Sequence, residues 1–298
     1  MFPFKLPIPR GYNAEPVWNG DGFTIGSETA PILEYSENFE GWSDDLTQLH
    51  EEAAGDQHPI DVASRKHAIE QVEAYKPKSD AIIMDIGCSS GFLLKDLRRQ
   101  PRQGFLIGAD VVKAPLLKLA GELKDIPLIR FDLLQCPLPS GSVDAIVMLN
   151  VFEHIGDDVL AMQKAFELLA PRGVLVVEVP AGPSLFGPYD VQLNHFRRYT
   201  SAELERKLKD AGFNVVSKSH LGFLIFPAFA LVKLKDKLLG KRAKPEVVAQ
   251  QAASTKNSWL MSAVMRIETQ YLSRLSLPFG IRVTMTAVKP VEVEVERR

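Results

Sequence analysis

The stretch Ala81-Ile-Ile-Met-Asp-Ile-Gly-Cys-Ser-Ser-Gly91 decides the fold of this chain. A short apolar run ends in an acid, and two glycines follow with three residues between them. The pattern predicts a buried parallel strand that turns sharply into a helix beginning near Phe92. Gly87 and Gly91 let the backbone come close to a ligand where a side chain would block it. In an open α/β sheet, such a turn is where ligands bind.

Strands and helices alternate after this turn. Strands are predicted at 81–86, 105–110, 128–131, 143–149, 173–179 and 214–219, and a final strand at 281–288 has no helix after it. Helices are predicted at 92–99, 114–123, 157–169 and 201–211. The last of these helices starts with a capping box formed by Thr200 and Glu203. The alternation predicts a doubly wound, mostly parallel α/β sheet.

The segments outside this core differ in character. Residues 1–42 are rich in Gly, Pro and aromatic residues and are interpreted as an irregular arm. Two helices are predicted between residues 43 and 76, and the second is expected to place Val62, Ile69, Val72 and Tyr75 on one face before Pro77 ends it. The predicted domains are an arm with cap helices (1–78), the core (79–220), a helical insertion (221–278) and the last strand with a tail (279–298).

Composition and charge exclude several classes of protein. The chain has 298 residues, 46% of them apolar and 24% charged, as expected for a globular protein. The net charge of −2 gives no general attraction to nucleic acid, so no such partner is expected. Cys88 and Cys136 have neither metal-ligand nor disulfide spacing, which favours a cytoplasmic setting. The proline-broken N-terminus does not resemble a signal peptide, and no apolar stretch reaches the about 20 residues that span a bilayer.

Acids mark the carboxyl ends of three predicted strands. Asp85 lies ahead of the glycines, where a carboxylate suits a cationic or amine-bearing ligand better than a pyrophosphate. Asp110 ends the second strand and could accept hydrogen bonds from both hydroxyls of a ribose. Asp132 follows the third strand. Asp110 alone would suit a nicotinamide cofactor equally well, but the Gly-x-Gly-x-x-Gly pattern of such proteins is absent from this sequence.

The ordered set of Asp85, Gly87, Gly91, Asp110, Asp132 and the segment 150–154 resembles class I S-adenosylmethionine-dependent methyltransferases. The similarity is to small-molecule enzymes of the methyltransferase type 11 and quinone-biosynthesis-like group, and it covers about residues 80 to 220 and the last strand. It implies a Rossmann-like sheet of seven strands with an antiparallel last strand. It also implies S-adenosylmethionine as the cofactor.

The resemblance implies a role for each matching position. Gly87 and Gly91 would approach the methionine end of the cofactor, Asp110 would hold the ribose, and Asp132 would read the adenine. The remaining cofactor contacts that it implies are Asp85, Cys88, Val111, Leu133 and Asn150.

The segment Asn150-Val-Phe-Glu-His154 follows the fourth strand. It resembles a family segment whose backbone lies near the sulfonium, which would place Asn150 and His154 near the transferred methyl group. In the alternative interpretation, His154 packs and hydrogen-bonds locally. Some relatives bind a divalent ion here through Glu-x-x-Glu-His, but Asn150 replaces the first acid in this chain. One fewer carboxylate weakens a hard-cation site, so no metal is expected.

A second polar run, Asn194-His-Phe-Arg-Arg-Tyr199, follows the fifth strand. His195 can take a proton from a hydroxyl near neutral pH and is the candidate catalytic base, with His154 as the second catalytic candidate. Arg197 or Arg198 could hold an acidic group of a substrate, and Tyr199 belongs to the same candidate set. Alternatively, His195 and an arginine only pin the loop to Asp190 or to the helix that follows.

The insertion begins with a mostly apolar stretch, 221–232, and continues with a run rich in Lys and Arg up to residue 244. This order is typical of a segment at an anionic membrane surface. A buried helix with a solvated basic face, or a dimer contact, would show the same pattern. A second amphipathic helix, at 259–275, is expected to pack with it as a lid.

Together these features predict an enzyme that methylates an oxygen of a small-molecule, sugar or lipid-linked acceptor by in-line displacement. N- or C-methylation stays open. The alternatives are a non-catalytic S-adenosylmethionine-binding scaffold and a nicotinamide-dependent oxidoreductase. The predicted location is the cytoplasm, with peripheral membrane contact through residues 221–244 as an open possibility.

Overall fold

A computed structural model of the chain describes residues 2–36, 55–101, 104–238, 258–273 and 275–291. The first of the helices predicted between 43 and 76 falls mainly on 37–54 and lies outside the described residues. Among the described residues, no helix is both long enough and apolar enough to cross a membrane.

The N-terminal arm is more ordered than its composition suggested. Strands β1 (Pro16–Trp18), β2 (Phe23–Ile25) and β3 (Glu28–Ala30) form a small antiparallel sheet. Strand β4 (Leu33–Glu34) then joins the main sheet in parallel beside the third core strand. The interpretation of 1–42 as irregular is therefore wrong for these residues, because strands of two or three residues are too short to show an alternating pattern.

The main sheet has the predicted doubly wound topology. Its order is β10-β11-β9-β8-β5-β6-β7-β4, and β11 is antiparallel to both of its neighbours. The fold class is confirmed, with β4 as an eighth strand beyond the predicted seven. The core strands are β5 (Ile82–Ile86), β6 (Phe105–Asp110), β7 (Leu128–Arg130), β8 (Val143–Leu149), β9 (Leu169–Pro180), β10 (Asn214–Leu221) and β11 (Arg282–Val288).

Helices cover both faces of this sheet. Successive residues of a strand point to opposite faces, so Ile83 packs with helices on one side while Met84 packs on the other. The helices are α1 (Pro59–Tyr75), α2 (Phe92–Arg98), α3 (Lys113–Glu122), α4 (Asp158–Leu168), α5 (Pro188–Gln192), α6 (Ser201–Asp210), α7 (Phe226–Leu238) and α8 (Trp259–Ile267). Burial on both faces explains why these strands read as continuous apolar runs.

Helix α1 buries a different set of residues from the predicted face. Ile69 and Val72 are buried, but Val62 is 40% exposed and Tyr75 is 36% exposed. The helix packs on two sides, because Ala63 contacts Met265 of α8 while Ile69 contacts the sheet. A helix with two packing partners does not show a single apolar stripe, so the one-face prediction was wrong.

The boundaries of the insertion also differ from the prediction. Leu221 is the last residue of β10, and the helix that follows begins at Phe226. The predicted helix at 259–275 is an α-helix only to Ile267 and continues as a π-helical turn, Glu268–Leu272. Glu268 is buried in this turn and accepts hydrogen bonds from the N–H groups of Gly222 and Leu224, which ties the two ends of the insertion together.

Candidate active site

The turn after β5 depends on glycine. Gly87 has φ 79° and Gly91 has φ 68°, which are left-handed values that favour glycine. A Cβ atom at Gly87 would lie 2.6 Å from Cγ2 of Val151. The N–H groups of Gly87 and Cys88 donate to the carbonyl oxygen of Ala109 at 2.8 and 3.0 Å. The turn is therefore fixed between the ends of β6 and β8, at the carboxyl edge of the sheet.

Asp110 is oriented by backbone donors. Its Oδ2 accepts from the N–H of Ser89 and its Oδ1 from the N–H of Val112, both at 2.9 Å. A carboxylate oxygen can accept more than one hydrogen bond, which is the property that a contact with ribose hydroxyls requires. Asp110 thus lies beside the glycine turn, as its place in the sequence suggested.

Asp132 and the arm meet at the end of β7. Oδ1 of Asp132 accepts from the N–H of Leu134 at 2.9 Å and caps the short 3₁₀ turn Leu133–Gln135. The N–H of Asp132 donates to Oγ of Ser36 at 2.9 Å. Ser36 is a contact that the sequence analysis missed, because nothing in the sequence places the arm at this edge.

The remaining predicted cofactor residues lie along the same edge. Cys88 and Leu133 are buried, so their backbone atoms are better placed than their side chains to contact a ligand. The carbonyl oxygen of Val111 accepts from Nε of Arg130 at 3.0 Å. Asp85 is also buried, and burial together with the charge of Asp110 raises the pKa of its carboxyl to about 8. Asp85 is therefore protonated near neutral pH and can itself donate a hydrogen bond.

Asn150 is held by a residue that the sequence analysis missed. It has φ 55°, its N–H donates to the carbonyl oxygen of Glu178 at 2.8 Å, and its Nδ2 donates to Oε1 of Glu178 at 3.3 Å. Glu178 is buried in β9. An acid inside an otherwise apolar strand was a usable signal, because a buried carboxylate needs polar partners.

The partners of Glu178 come from α1 and β11. Arg282 Nη1 lies 2.7 Å from Oε1 of Glu178, and Oγ of Ser64 donates to the same oxygen at 2.7 Å. Arg282 also pairs with Asp61 of α1. Burial raises the pKa of Glu178 although Arg282 and Ser64 favour the ionised form. This buried network joins the segment at Asn150 to the first helix and the last strand.

His195 is paired with Asp190. Its Nδ1 lies 3.1 Å from Oδ1 of Asp190, which also accepts from Nε of Arg198 at 2.7 Å. Burial would raise the pKa of Asp190, but His195, Arg198 and Lys233 outweigh it and hold this pKa at about 2. Burial lowers the pKa of His195 and outweighs the opposite effect of Asp190. At neutral pH the pair is therefore a carboxylate and a neutral imidazole with the hydrogen on Nδ1, which leaves Nε2 as a proton acceptor.

His154 and Glu153 lie next to His195. The rings of His154 and His195 meet edge to face with 4.6 Å between their centroids. Glu153 is fully buried, and neither carboxylate oxygen has a hydrogen-bond partner among the residues that the structure describes. Burial raises its pKa to about 8. One ligand atom from each of these three residues lies within 4.8 Å of the others, close enough for a metal ion, so the expectation that no metal is bound stays a prediction.

The three candidate substrate contacts after His195 are all engaged within the chain. Tyr199 is fully buried and its hydroxyl donates to Oδ2 of Asp158 at 2.7 Å. Arg198 is buried against Asp190. Arg197 lies 2.8 Å from Oδ1 of Asp158 but stays partly exposed. Arg198 and Tyr199 are buried and Arg197 is partly exposed, so Arg197 is the most accessible of the three, and the substrate contacts of all three stay predictions.

Comparison with known proteins identifies the family. A family model described as a methyltransferase domain matches residues 48–218. A protein of Mycolicibacterium smegmatis named a probable S-adenosylmethionine-dependent methyltransferase is 28% identical over 192 residues, which are 63% of this chain and 71% of the relative. Trans-aconitate 2-methyltransferase of Deinococcus radiodurans is 27% identical over 158 residues, 53% of this chain and 57% of the relative.

Solved structures share the fold at low identity. A phosphoethanolamine N-methyltransferase of Haemonchus contortus, in complex with S-adenosylhomocysteine, matches with a TM-score of 0.52 and 16% identity over 82% of this chain and 57% of that one. The [4+2]-cyclase SpnF matches with a TM-score of 0.52 and 17% identity over 88% of this chain and 89% of that one. At such identities the likeness shows the fold alone.

The residues at the carboxyl edge fit the cofactor of this family. Two backbone N–H groups already orient the carboxylate of Asp110, and Gly87 of the turn beside it is exposed. The family match sets aside the nicotinamide-dependent oxidoreductase and the non-catalytic scaffold. The chain belongs to the methyltransferase domain family and is an S-adenosylmethionine-dependent methyltransferase.

Proposed function

We propose that the enzyme methylates a hydroxyl oxygen of a small-molecule, sugar or lipid-linked acceptor. The observation that carries this proposal is the pair of a neutral His195 and an ionised Asp190 beside the segment of Asn150 and His154. A base with a free Nε2 suits an acceptor that must lose a proton as it is alkylated.

The cofactor lies, in this proposal, along the carboxyl edge of the sheet. S-adenosylmethionine, when bound, supplies the electrophilic methyl group. Asp110 accepts from the ribose hydroxyls, Asp132 from the adenine amino group, and Gly87 and Gly91 leave room for the methionine end. Asp85, Cys88, Val111, Leu133 and Asn150 complete the contact set. The support is that Asp110, Ser89 and the glycine turn are already joined by hydrogen bonds.

The acceptor is held opposite Asn150, in line with the methyl group. As the acceptor oxygen forms its bond to the methyl group and the sulfur–methyl bond breaks to leave S-adenosylhomocysteine, the proton of the acceptor would pass to Nε2 of His195, and Asp190 would stabilise the imidazolium that results. His154 packs edge-on against His195 and fixes its ring. Most of the rate comes from positioning the two reactants, with the proton transfer as a second contribution.

The choice of acceptor is assigned to Arg197 and to the parts of the chain outside the core. Arg197 is partly exposed and could pair with an acidic group, which agrees with a relative named after the acid trans-aconitate. The net charge of −2 gives no reason to expect a nucleic acid. A lipid-linked acceptor would require peripheral membrane contact, for which the segment 221–244 is the candidate.

The test separates cofactor binding from transfer. Calorimetry should show micromolar binding of S-adenosylmethionine to the wild-type protein, and Asp110→Ala should abolish it because the ribose loses its acceptor. His195→Asn should bind the cofactor normally but transfer labelled methyl groups far more slowly to acceptors from metabolite and lipid extracts. Failure of the wild type to bind the cofactor would refute the cofactor-site assignment.

Metal dependence gives an independent check. We expect transfer to survive dialysis against a chelator, because the candidate ligand group found among the described residues, Glu153, His154 and His195, offers a hard cation one carboxylate. Loss of transfer that added Zn²⁺ or Mn²⁺ restores would instead make Glu153, His154 and His195 metal ligands, and His195 would then not be the base.

A further inference from the structure

Helix α7 has two faces of opposite character. Four residues at helical spacing are half-buried and form its inner face: Phe226, Phe229, Ala230 and Lys233. The outer face is exposed but apolar: Leu231 is 68% exposed, Val232 51% and Leu234 52%. Exposed apolar side chains that are clustered on one helix face mark an interaction site more often than isolated ones do.

The inner face of α7 contacts the loop that carries the proposed base. Nζ of Lys233 lies 3.6 Å from Oδ2 of Asp190 and 4.9 Å from the centre of the Tyr189 ring. The guanidinium of Arg198 lies over the ring of Phe229 at 5.8 Å. Asp190 is the partner of His195, so a change in the position of α7 reaches the base through one intervening residue.

The positive charge of this part of the chain indicates which kind of partner binds the outer face of α7. Lys235 is exposed on this face, and the sequence continues with Lys237, Lys241, Arg242 and Lys244, whereas Asp236 is the only acid between 233 and 244. An exposed apolar helix face that carries an exposed lysine, in a sequence that continues with basic residues, matches the interface of an anionic bilayer. A second copy of the chain fits less well, because a two-fold contact through this face would bring the exposed Lys235 of each copy towards the other.

We propose that the outer face of α7 binds the surface of an anionic lipid bilayer, and that Lys233 couples this binding to the loop of Asp190 and His195. The coupling rests on the proposed function of His195. It would make the base best ordered where a lipid-linked acceptor is presented.

The binding step is tested by flotation of the full chain with vesicles. We expect the wild type to float with mixed phosphatidylglycerol and phosphatidylcholine vesicles, to float poorly with pure phosphatidylcholine, and to dissociate in high salt. Leu231→Asp combined with Leu234→Asp should lower the partition coefficient at least about tenfold, because two apolar anchors become anionic. Val17→Asp, at an exposed valine of β1, is the matched control and should float like the wild type.

Three results would overturn the binding step. The wild type could fail to float with either kind of vesicle, or the double variant could float unchanged. A wild-type dimer in light scattering that the double variant converts to a monomer would show that a second copy covers this face. Thermal melting of each variant confirms that it is folded, which is expected because the altered side chains are exposed.

The coupling step is read by hydrogen–deuterium exchange, which needs no acceptor. Mixed vesicles should slow exchange of the backbone amides between residues 185 and 199 in the wild type. Lys233→Met keeps an apolar stem over Tyr189 and Phe229 but removes the charge near Asp190. This variant should float normally and lose the slowing. The same slowing in wild type and variant would refute the role of Lys233.

The results of these experiments distinguish a failure of the bilayer proposal from a failure of the proposed function. An inactive protein that floats and shows the vesicle-induced slowing would contradict His195 as base but not the bilayer contact. An active methyltransferase that does not float would contradict only the bilayer contact.

Discussion

At the scale of single residues, the surroundings keep the Asp190 carboxyl ionised and the His195 imidazole neutral. Because burial lowers the pKa of His195 below its ordinary 6.5, the base is already neutral at neutral pH. Turnover should therefore be level around neutrality and fall on the acid side, where His195 becomes protonated. His195→Asn should lower kcat by about 10²- to 10⁴-fold and abolish this acid limb, with cofactor affinity unchanged in calorimetry.

The Asp190→Asn variant tests what the negative charge of Asp190 contributes to the function of His195. Asp190 raises the pKa of His195, while Arg198 and Lys233 lower it. Removing the carboxylate should thus move the acid limb of kcat to lower pH. The value of kcat at neutral pH should also fall, because the imidazole of His195 loses its anionic partner. A pH–rate profile that keeps the wild-type limb would show that His195 is not the titrating base.

Glu153 makes a prediction about stability. Its pKa rises from an ordinary 4.5 to about 8 because the carboxyl is buried. The pKa of such a carboxyl is higher in the folded protein than in the unfolded protein. Its contribution to stability is complete below the pKa of the unfolded state and is lost as the pH rises through the pKa of the folded state. As the pH rises from 4.5 to about 8, the wild type should lose stability while Glu153→Gln, which does not titrate, should not. The free energy of unfolding of the variant relative to that of the wild type should therefore increase by on the order of a few kcal/mol. Parallel curves of the free energy of unfolding against pH would contradict this.

At the scale of elements, local patterns predicted the core well and long-range pairings poorly. The apolar run before Gly87 and the acids at 110 and 132 indicated strands of the parallel core. The carboxylate of Glu178 and the guanidinium of Arg282 are far apart in sequence, so their pairing depends on the antiparallel insertion of β11 beside β9. Leu221 continues β10 because the strand and the helix after it are both apolar, which hides the boundary.

The Arg282 network should dominate the stability of the contact between α1 and the sheet. Arg282→Met leaves the buried Glu178 without its cation, and we expect a loss of about 3–5 kcal/mol in urea unfolding. Arg206→Met is the matched control, because Arg206 forms an exposed pair with Asp210 on α6 and such pairs contribute at most about 1 kcal/mol. Equal losses in the two variants would contradict a structural role for the buried network.

At the scale of the whole molecule, the N-terminal arm acts on the cofactor edge from outside the core. Strand β4 pairs with β7, and Glu34 forms ion pairs with Arg130 and Lys113. The hydroxyl of Tyr35 donates to the carbonyl oxygen of Pro7 at 2.8 Å, so the residue after β4 is tied to the beginning of the arm. The arm is therefore fixed at the end of β7, where Asp132 is proposed to read adenine.

A substitution of Ser36 tests the contact between the N-terminal arm and Asp132. Its Oγ accepts from the N–H of Asp132, and Ser36→Ala would leave that N–H without its acceptor and loosen the Asp132 turn. We expect cofactor affinity to fall about two- to tenfold in calorimetry, the range that corresponds to one hydrogen bond. Ser276→Ala is the matched control, because Ser276 bonds to the carbonyl oxygen of Lys218 in β10, at the opposite edge of the sheet. Since only Ser36 lies at the cofactor edge, equal affinities for both variants would mean that the arm supports the fold but does not shape the adenine site.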